Sequence, residues 1–143
     1  MEPDQVKETV KKYYAECGLG EWERLTKHPY NRLELDTTMF FLKQYLPEKG
    51  LVLDAGGGPG RYTIDLARKG YRVVMFDLLH EMLQLGQQKV AEAKVQDKVM
   101  PVVGNIVTLP YRHDSFEAVI CLGAPLSHIA DAQARSRAIV EIA

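Results

Sequence analysis

Residues 51–60 read Leu-Val-Leu-Asp-Ala-Gly-Gly-Gly-Pro-Gly, an apolar run that meets an aspartate and then four glycines in five positions. A helix-forming stretch follows directly from Arg61. Glycine has no Cβ and tolerates positive φ, so a glycine-dense turn after a strand brings the main chain close to a ligand. The stretch predicts a strand, turn and helix unit that binds a nucleotide-like ligand.

The spacing of the glycines narrows the class of ligand that the loop can bind. A dinucleotide site uses G-x-G-x-x-G to bring a helix N-terminus to a pyrophosphate. That pattern fails here, because its third glycine would fall on Arg61 or Thr63. The spacing therefore disfavours a nicotinamide dehydrogenase. The pattern present is Asp-x-Gly-x-Gly-x-Gly, at Asp54, Gly56, Gly58 and Gly60.

A second acid, Asp77, ends the next predicted strand. Together these motifs resemble the class I S-adenosylmethionine-dependent methyltransferases, especially the small-molecule branch called type 11 or UbiE-like. The resemblance covers about residues 50–143 and, more loosely, the N-terminal helices. It implies that the glycine loop holds the amino-acid end of the cofactor S-adenosylmethionine, and that Asp54 supports the loop and interacts with the amino group, often through water. An ordinary strand-to-helix turn is the alternative.

The resemblance also assigns the adenosine end. It implies that Asp77 accepts hydrogen bonds from both ribose hydroxyls, with a helix N-cap as the alternative. Leu78 and Met82 would pack on the adenine, although core packing explains Met82 nearly as well. Asn105, followed by Ile106, stands where many relatives have an aspartate that accepts a bond from the adenine amino group. An amide carbonyl accepts the same bond without charge assistance, and a turn-forming asparagine is the alternative.

The segment after the fourth predicted strand lies beside the switch point of an open α/β sheet. The resemblance places Leu122 near the transferable methyl group. His128 is a candidate to orient or deprotonate the methyl acceptor, with an ordinary loop histidine as the alternative. Trp22 and Tyr30 are candidates for an aromatic lid over the acceptor, with burial against the sheet as the alternative. Because the sulfonium is already activated, in-line positioning and exclusion of water are enough, and no residue is assigned as a certain catalyst.

Composition excludes several classes of function. The chain has 143 residues, 46% of them hydrophobic, with a formal charge of −1 and a pI near 6.4, so it lacks the basic footprint of a nucleic-acid binder. The first five residues carry no apolar signal region, and the longest apolar stretch, around 118–126, is too short to span a membrane. Cys17 and Cys121 are too isolated for a disulfide framework or metal cluster, and no histidine has a partner at ligand spacing. The sequence predicts a cytoplasmic protein with no metal, no membrane and no nucleic-acid partner.

Two helices precede the glycine loop in the predicted organisation. Apolar residues at helical spacing predict a helix over about residues 4–17 that stops at Gly18. A second helix, with Leu33, Phe40 and Tyr45 on one face, ends before Pro47. We therefore expect an N-terminal helical cap over residues 1–47 and a Rossmann-like cofactor-binding domain over residues 48–143.

Strands and helices alternate after residue 50, which predicts an α/β fold with a parallel sheet. Helices are expected over about 61–69, 79–93 and from the N-cap Asp131 onward. Pro101 places the third strand at a sheet edge, as in the family order 3-2-1-4-5-7-6. Only four of those seven strands are predicted, so the sequence indicates order 3-2-1-4, ending before strands 5–7. The predicted strands are Leu51–Ala55, Tyr71–Phe76, Val99–Val103 and Phe116–Leu122.

The function predicted is methyl transfer from S-adenosylmethionine to a small-molecule acceptor. The alternative is a cofactor-binding or interaction module that is inactive alone because the domain is incomplete. Unpaired backbone groups at the edge of the fourth strand recruit partner strands. We therefore expect a homo-oligomer formed across that strand or across the helix that begins at Asp131.

Overall fold

A computed structural model describes residues 3–143 and contains five α-helices, four β-strands and one 3-10 turn. The helices are α1 (Pro3–Arg24), α2 (Pro29–Tyr45), α3 (Arg61–Arg68), α4 (His80–Glu92) and α5 (Ala132–Ile142). The strands are β1 (Leu51–Ala55), β2 (Arg72–Asp77), β3 (Val99–Val103) and β4 (Ala118–Ile120). The 3-10 turn spans Pro125–His128. From β1 to β3 the order is strand, helix, strand, helix, strand, as predicted.

The four strands form one parallel sheet in the order β3-β2-β1-β4. The prediction of an α/β, Rossmann-like sheet in order 3-2-1-4 is confirmed. Pro101 lies on the edge strand β3, opposite Met75, where its missing N–H costs no ladder bond on the open side. Asp54 of β1 pairs with Met75 of β2 on one side and with Ile120 of β4 on the other, so β1 is a central strand. Because the pairing is parallel, the carboxyl end of β1 lies beside those of β2 and β4.

The hydrophobic core lies on both faces of β1 and β2. Val52 and Val73 belong to one face, where they pack with Leu35 of α2 and Leu66 of α3. Leu53 and its neighbours on the other face pack against the segment between β3 and β4 and against β4 itself. Because α2 shares this core with the sheet, it packs directly on the sheet, whereas α1 packs against α4 and the 3-10 turn. The division of the chain at residue 47 stays a prediction.

The first helix is longer than predicted. It continues through Gly18 and Gly20 to Arg24. A Cβ added at Gly18 would lie 3.3 Å from Sδ of Met82, so this glycine allows α1 to approach α4 and does not end the helix. Trp22 therefore lies on α1, and Tyr30 lies in the first turn of α2.

The second helix ends before Pro47, as predicted, and it buries a different face from the one the aromatic residues suggest. Leu35 is buried, and Leu42 and Leu46 pack beside it on the core. Phe40 and Tyr45 are 63% and 82% exposed. The aromatic spacing identified the helix correctly, but the sheet contacts its aliphatic side.

The fourth strand is shorter than the predicted range 116–122. Beyond its three paired residues, Glu117 donates its N–H to the Leu51 carbonyl, and its carboxylate accepts from the Leu51 N–H at 2.6 Å. In the described sheet β4 is an edge strand, and assembly across it or across α5 stays a prediction. The predicted cap of α5 is confirmed, because Oδ2 of Asp131 accepts from the Ala134 N–H at 2.7 Å. None of the helices within residues 3–143 is long and apolar enough to cross a membrane.

Candidate functional site

A cavity of about 700 Å³ opens at the carboxyl ends of the parallel strands. Its floor is the turn after β1, and its walls are the ends of β2, β3 and β4, one face of α1 and the beginning of α5. Open α/β sheets bind ligands at this edge, and cavities of roughly 300–1,000 Å³ are typical of small-molecule sites. The fold therefore brings most of the predicted site residues to one cavity.

The glycine loop is fastened to β2 by its own main chain. The N–H groups of Gly56 and Gly57 donate to the Phe76 carbonyl at 2.8 and 3.0 Å. Gly56, Gly58 and Gly60 have φ of +80°, +54° and +84°. At Gly56 a Cβ would also lie 2.7 Å from the Pro125 ring, so only glycine fits both the conformation and the space.

Asp54 lies beneath this loop and is 2% exposed. Its Oδ2 accepts a hydrogen bond of 2.6 Å from the hydroxyl of Thr63, which is itself fully buried. Burial raises the pKa of Asp54 to about 6, with a further rise from the charge of Asp77 and an opposing effect of the Thr63 bond. A cationic group placed in the cavity would favour the ionised form of this carboxyl.

Asp77 joins the glycine loop to the start of α4. Its Oδ2 accepts from the Gly58 N–H at 2.8 Å, and its Oδ1 accepts from the Leu79 N–H at 2.9 Å. Burial raises the pKa of Asp77, and these N–H bonds oppose the rise. The N-cap of α4 is Leu79, so Asp77 precedes the cap and does not occupy it. Each carboxylate oxygen keeps a further lone pair for a ligand.

The residues predicted to contact adenine lie together on one side of the cavity. Leu78 is 42% exposed, as expected of an apolar surface open to a ligand. Met82 is 3% exposed and packs against Gly18, so it has a core role as well. Oδ1 of Asn105 accepts from the Val107 N–H at 2.9 Å, which is the turn role considered above, and one lone pair of that oxygen is left over.

The opposite side of the cavity is closed by a contact between α1 and the 3-10 turn. The Tyr14 hydroxyl and Nε2 of His128 are 2.9 Å apart, and the two rings meet edge to face at 5.4 Å. Burial raises the pKa of Tyr14, which keeps its hydroxyl protonated at neutral pH. This hydrogen-bonded pair and Leu122 form the wall beyond the glycine loop.

The structure brings most of the predicted residues to the cavity, but not all. Gly60 is buried at the N-cap of α3, where a Cβ would lie 2.8 Å from Sδ of Met75. Neither Trp22 nor Tyr30 lines the cavity within the described part of the chain: Trp22 packs under the Arg61 guanidinium, 3.5 Å from the ring centre, and Tyr30 is 85% exposed. His128 does line it, together with the predicted cofactor residues Asp54, Gly56, Gly58, Asp77, Leu78, Met82, Asn105, Ile106 and Leu122.

One face of α1 lines the cavity and was missed as a site from the sequence. Each of its members has another member three, four or seven residues away, the repeat of a helix face. Sequence periodicity showed that such a face exists, but only packing shows that it meets the cavity. Arg61 fixes it there, because its guanidinium donates to the Trp22 carbonyl. The face comprises Lys7, Val10, Lys11, Tyr14, Glu21 and Arg24.

The chain belongs to the methyltransferase domain family, whose sequence profile matches residues 52–143. This places it among the class I S-adenosylmethionine-dependent methyltransferases, as the motifs predicted.

Individual relatives agree with this assignment. A demethylmenaquinone methyltransferase of Lactiplantibacillus plantarum is 32% identical over 120 residues, which are 78% of this chain and 49% of that protein. A tRNA 5-carboxymethoxyuridine methyltransferase of Escherichia coli is 46% identical over 48 residues, 34% of this chain and 18% of that protein. The structure of magnesium protoporphyrin IX methyltransferase from Synechocystis with bound SAM has a TM-score of 0.74 at 24% identity, over 96% of this chain and 70% of that one, and shows the same fold. The chain thus spans about half the length, or less, of the two sequence relatives.

Proposed function

We propose that the protein binds S-adenosylmethionine at the glycine loop and transfers its methyl group to a small-molecule acceptor. The observation that carries the proposal is the placement of two carboxylates around one loop. Asp54 lies beneath the glycine turn, and Asp77 binds the Gly58 N–H from the end of the next strand. A ligand with an amino group at one end and a ribose diol at the other matches both acids, whereas a pyrophosphate would be repelled by them.

Different residues of the chain contact different parts of the proposed cofactor. Asp77 accepts hydrogen bonds from the ribose hydroxyls through the lone pairs left by Gly58 and Leu79. Leu78 and Ile106 contact the adenine, and the free lone pair of Asn105 Oδ1 accepts from its amino group. Asp54 attracts the ammonium of the amino-acid end across the loop. Bound there, the cofactor supplies a sulfonium methyl group that is already activated for transfer.

The acceptor end of the site is proposed to lie between Leu122 and the Tyr14–His128 pair. Tyr14 holds the imidazole at the cavity wall through the 2.9 Å bond. In the tautomer whose Nε2–H donates to the Tyr14 hydroxyl oxygen, Nδ1 keeps the lone pair that takes up a proton from an acceptor hydroxyl or amine. His128 is thus the proposed proton acceptor, and Tyr14 is the residue that positions it.

The partner is proposed to be a small molecule and not a nucleic acid, since the formal charge of the chain is −1. The match to the tRNA methyltransferase makes this a point to test, with a tRNA transcript as one of the acceptors offered. The cytoplasmic location stays a prediction, and the free thiols of Cys17 and Cys121 agree with a reducing compartment.

Calorimetric titration with S-adenosylhomocysteine tests the proposed function. We expect saturable binding with one site per chain, and no binding of NAD, because its pyrophosphate would face Asp54 and Asp77. Binding of NAD in preference to S-adenosylhomocysteine would contradict the proposal. Binding without methyl transfer to any acceptor class offered would favour the alternative, a cofactor-binding module.

A further inference from the structure

Three cationic side chains line the cavity from the two helices that flank the Tyr14–His128 pair. Lys7 and Lys11 are on the first half of α1, one turn apart, and Arg137 is on α5. The bond between Tyr14 and His128 brings this half of α1 against the segment that leads into α5. The cations therefore lie on the two helices that flank the Tyr14–His128 pair, where the acceptor is proposed to bind.

The carboxylates near these cations are exposed or already occupied. Lys7 and Lys11 pair with Asp4 and Glu8 at 3.3 and 3.4 Å, but those two acids are 91% and 76% exposed and lie outside the cavity. Exposed pairs of this kind are weak and exchange readily for a better anion.

Arg137 forms no hydrogen bond or ion pair with any other residue in the stretch 3–143. The acid on the same wall, Asp131, uses its carboxylate to cap α5. Arg137 is therefore the cation on this side of the cavity that has no carboxylate partner among residues 3–143.

The surface between the cations is apolar. Val10 of α1, Ile129 and Ala134 all line it. An apolar surface with cations at its margin fits a ligand that has a hydrophobic body and an anionic group, because burial of the body and charge pairing act together.

We infer that the methyl acceptor is an amphipathic anion whose hydrophobic body lies against Val10 and Ala134 and whose carboxylate, phosphate or sulfonate is bound by Lys7, Lys11 and Arg137. This inference rests on the proposed function and specifies the acceptor of the same site. A neutral acceptor would leave Arg137 without a partner among residues 3–143.

The test uses two fluorescent probes that share one ring system. 1-Anilinonaphthalene-8-sulfonate carries an anionic group, and N-phenyl-1-naphthylamine does not. Both are titrated into protein saturated with S-adenosylhomocysteine, so the cofactor's own carboxylate is already bound. We expect Arg137→Gln to weaken binding of the sulfonate about two- to fivefold, and a triple Lys7→Gln, Lys11→Gln, Arg137→Gln variant about tenfold or more. Arg137→Lys should restore most of the loss.

Two comparisons complete the design. Binding of the neutral probe should change less than twofold in every variant, and binding of the sulfonate to the wild type should weaken as salt is raised. Arg72→Gln is the matched control, because Arg72 is an exposed cation at the amino end of β2, away from the cavity. Unchanged sulfonate binding in the triple variant, or an equal loss with Arg72→Gln or for the neutral probe, would overturn the inference.

The cofactor titration separates this inference from the proposed function. Failure of the wild type to bind S-adenosylhomocysteine would contradict the proposed function itself. A triple variant that loses cofactor affinity and keeps sulfonate binding would assign the cations to the cofactor and overturn the inference alone.

Discussion

The cavity has two walls that are built in different ways. The sheet wall consists of the glycine loop and Asp77, held by short main-chain bonds and by carboxylates inside the protein. The helix wall is one face of α1, held by side chains: Arg61 on the Trp22 carbonyl and Tyr14 on His128. In the proposed function the sheet wall binds the cofactor and the helix wall faces the acceptor.

The two walls differ in how easily their chemistry can change. A wall made of strand ends and positive-φ turns has little conformational freedom, because its main-chain groups must stay paired by hydrogen bonds. A wall made of side chains on a helix can change its chemistry without changing the fold. We therefore expect substitutions in the sheet wall to alter stability and cofactor affinity strongly, and substitutions in the helix wall to act more weakly.

The largest effect is expected when a glycine of the sheet wall is replaced, in comparison with a glycine of α1, the helix that carries the other wall. Gly56→Ala forces an alanine to φ +80° and places its Cβ against Pro125, so the free energy of unfolding should fall by about 2–4 kcal/mol. Gly20→Ala, in α1 with no other atom within 4 Å of the new Cβ, should raise it by about 0.5–1 kcal/mol. Urea unfolding measures both. Equal destabilisation by the two substitutions would remove the distinction between the walls.

The second prediction concerns Asp54 and pH. Its pKa in the folded protein is about 6, above the value of about 3.9 in an unfolded chain, so the folded state binds the proton more tightly. As pH rises from about 4 to about 6, the free energy of unfolding should therefore fall, by up to about 3 kcal/mol from this group. Asp54→Asn should remove that part of the slope. An identical pH profile in the variant would show that Asp54 ionises normally.

The third prediction tests the carboxylate of the sheet wall. Asp77→Ala should cost about 1–3 kcal/mol of affinity for S-adenosylhomocysteine, because two ribose hydroxyls lose a charged acceptor. Asp97→Ala is the control, since Asp97 is exposed and lies outside the cavity. Calorimetry on both variants decides the matter. Wild-type affinity in a folded Asp77→Ala protein would limit Asp77 to bracing the loop through Gly58.

A smaller effect is expected in the helix wall. Tyr14→Phe removes the hydroxyl that bonds to His128 and should lower the free energy of unfolding by about 0.5–1.5 kcal/mol, with little change in cofactor affinity. Tyr13→Phe is the matched control, because its ring is 58% exposed. A tenfold loss of cofactor affinity in Tyr14→Phe would mean that the helix wall also binds the cofactor.

The smallest effect is expected at Asn105. If its free lone pair accepts from the adenine amino group, Asn105→Asp should bind the adenosyl ligand at least as well, because a charged acceptor forms the stronger bond. Calorimetry against the wild type measures this. Weaker binding in a folded variant would favour the turn to Val107 as the main role of Asn105, or donation from its amide to the ligand.

The sequence predicted the sheet wall well because each of its residues acts through its immediate neighbours. An aspartate at a strand end and a glycine that needs positive φ are local features, so Asp54, Gly56 and Asp77 were located correctly in the fold. The helix wall depends on how α1 sits on the rest of the protein. Gly18 reads as a helix stop but is a point of close approach to Met82, which carries the helix and Trp22 past the predicted end.

Dependence on tertiary packing also explains why the surroundings of the aromatic residues could not be predicted from the sequence. The spacing of Leu33, Phe40 and Tyr45 predicted a helix face, but the sheet packs against the aliphatic face that contains Leu35. Trp22 and Tyr30 are aromatic residues without a local constraint, and their surroundings depend on Arg61 and on the start of α2. Periodicity therefore identified the elements, and only tertiary packing determined which face each element buries.

The most direct test of the central claim is a crystal structure of the protein with S-adenosylhomocysteine. We expect the ribose hydroxyls within hydrogen-bonding distance of the Asp77 carboxylate, the homocysteine moiety along Gly56–Gly58 above Asp54, and its sulfur directed toward Leu122 and His128. A ligand bound elsewhere, or bound in this cavity with its ribose away from Asp77, would contradict the account.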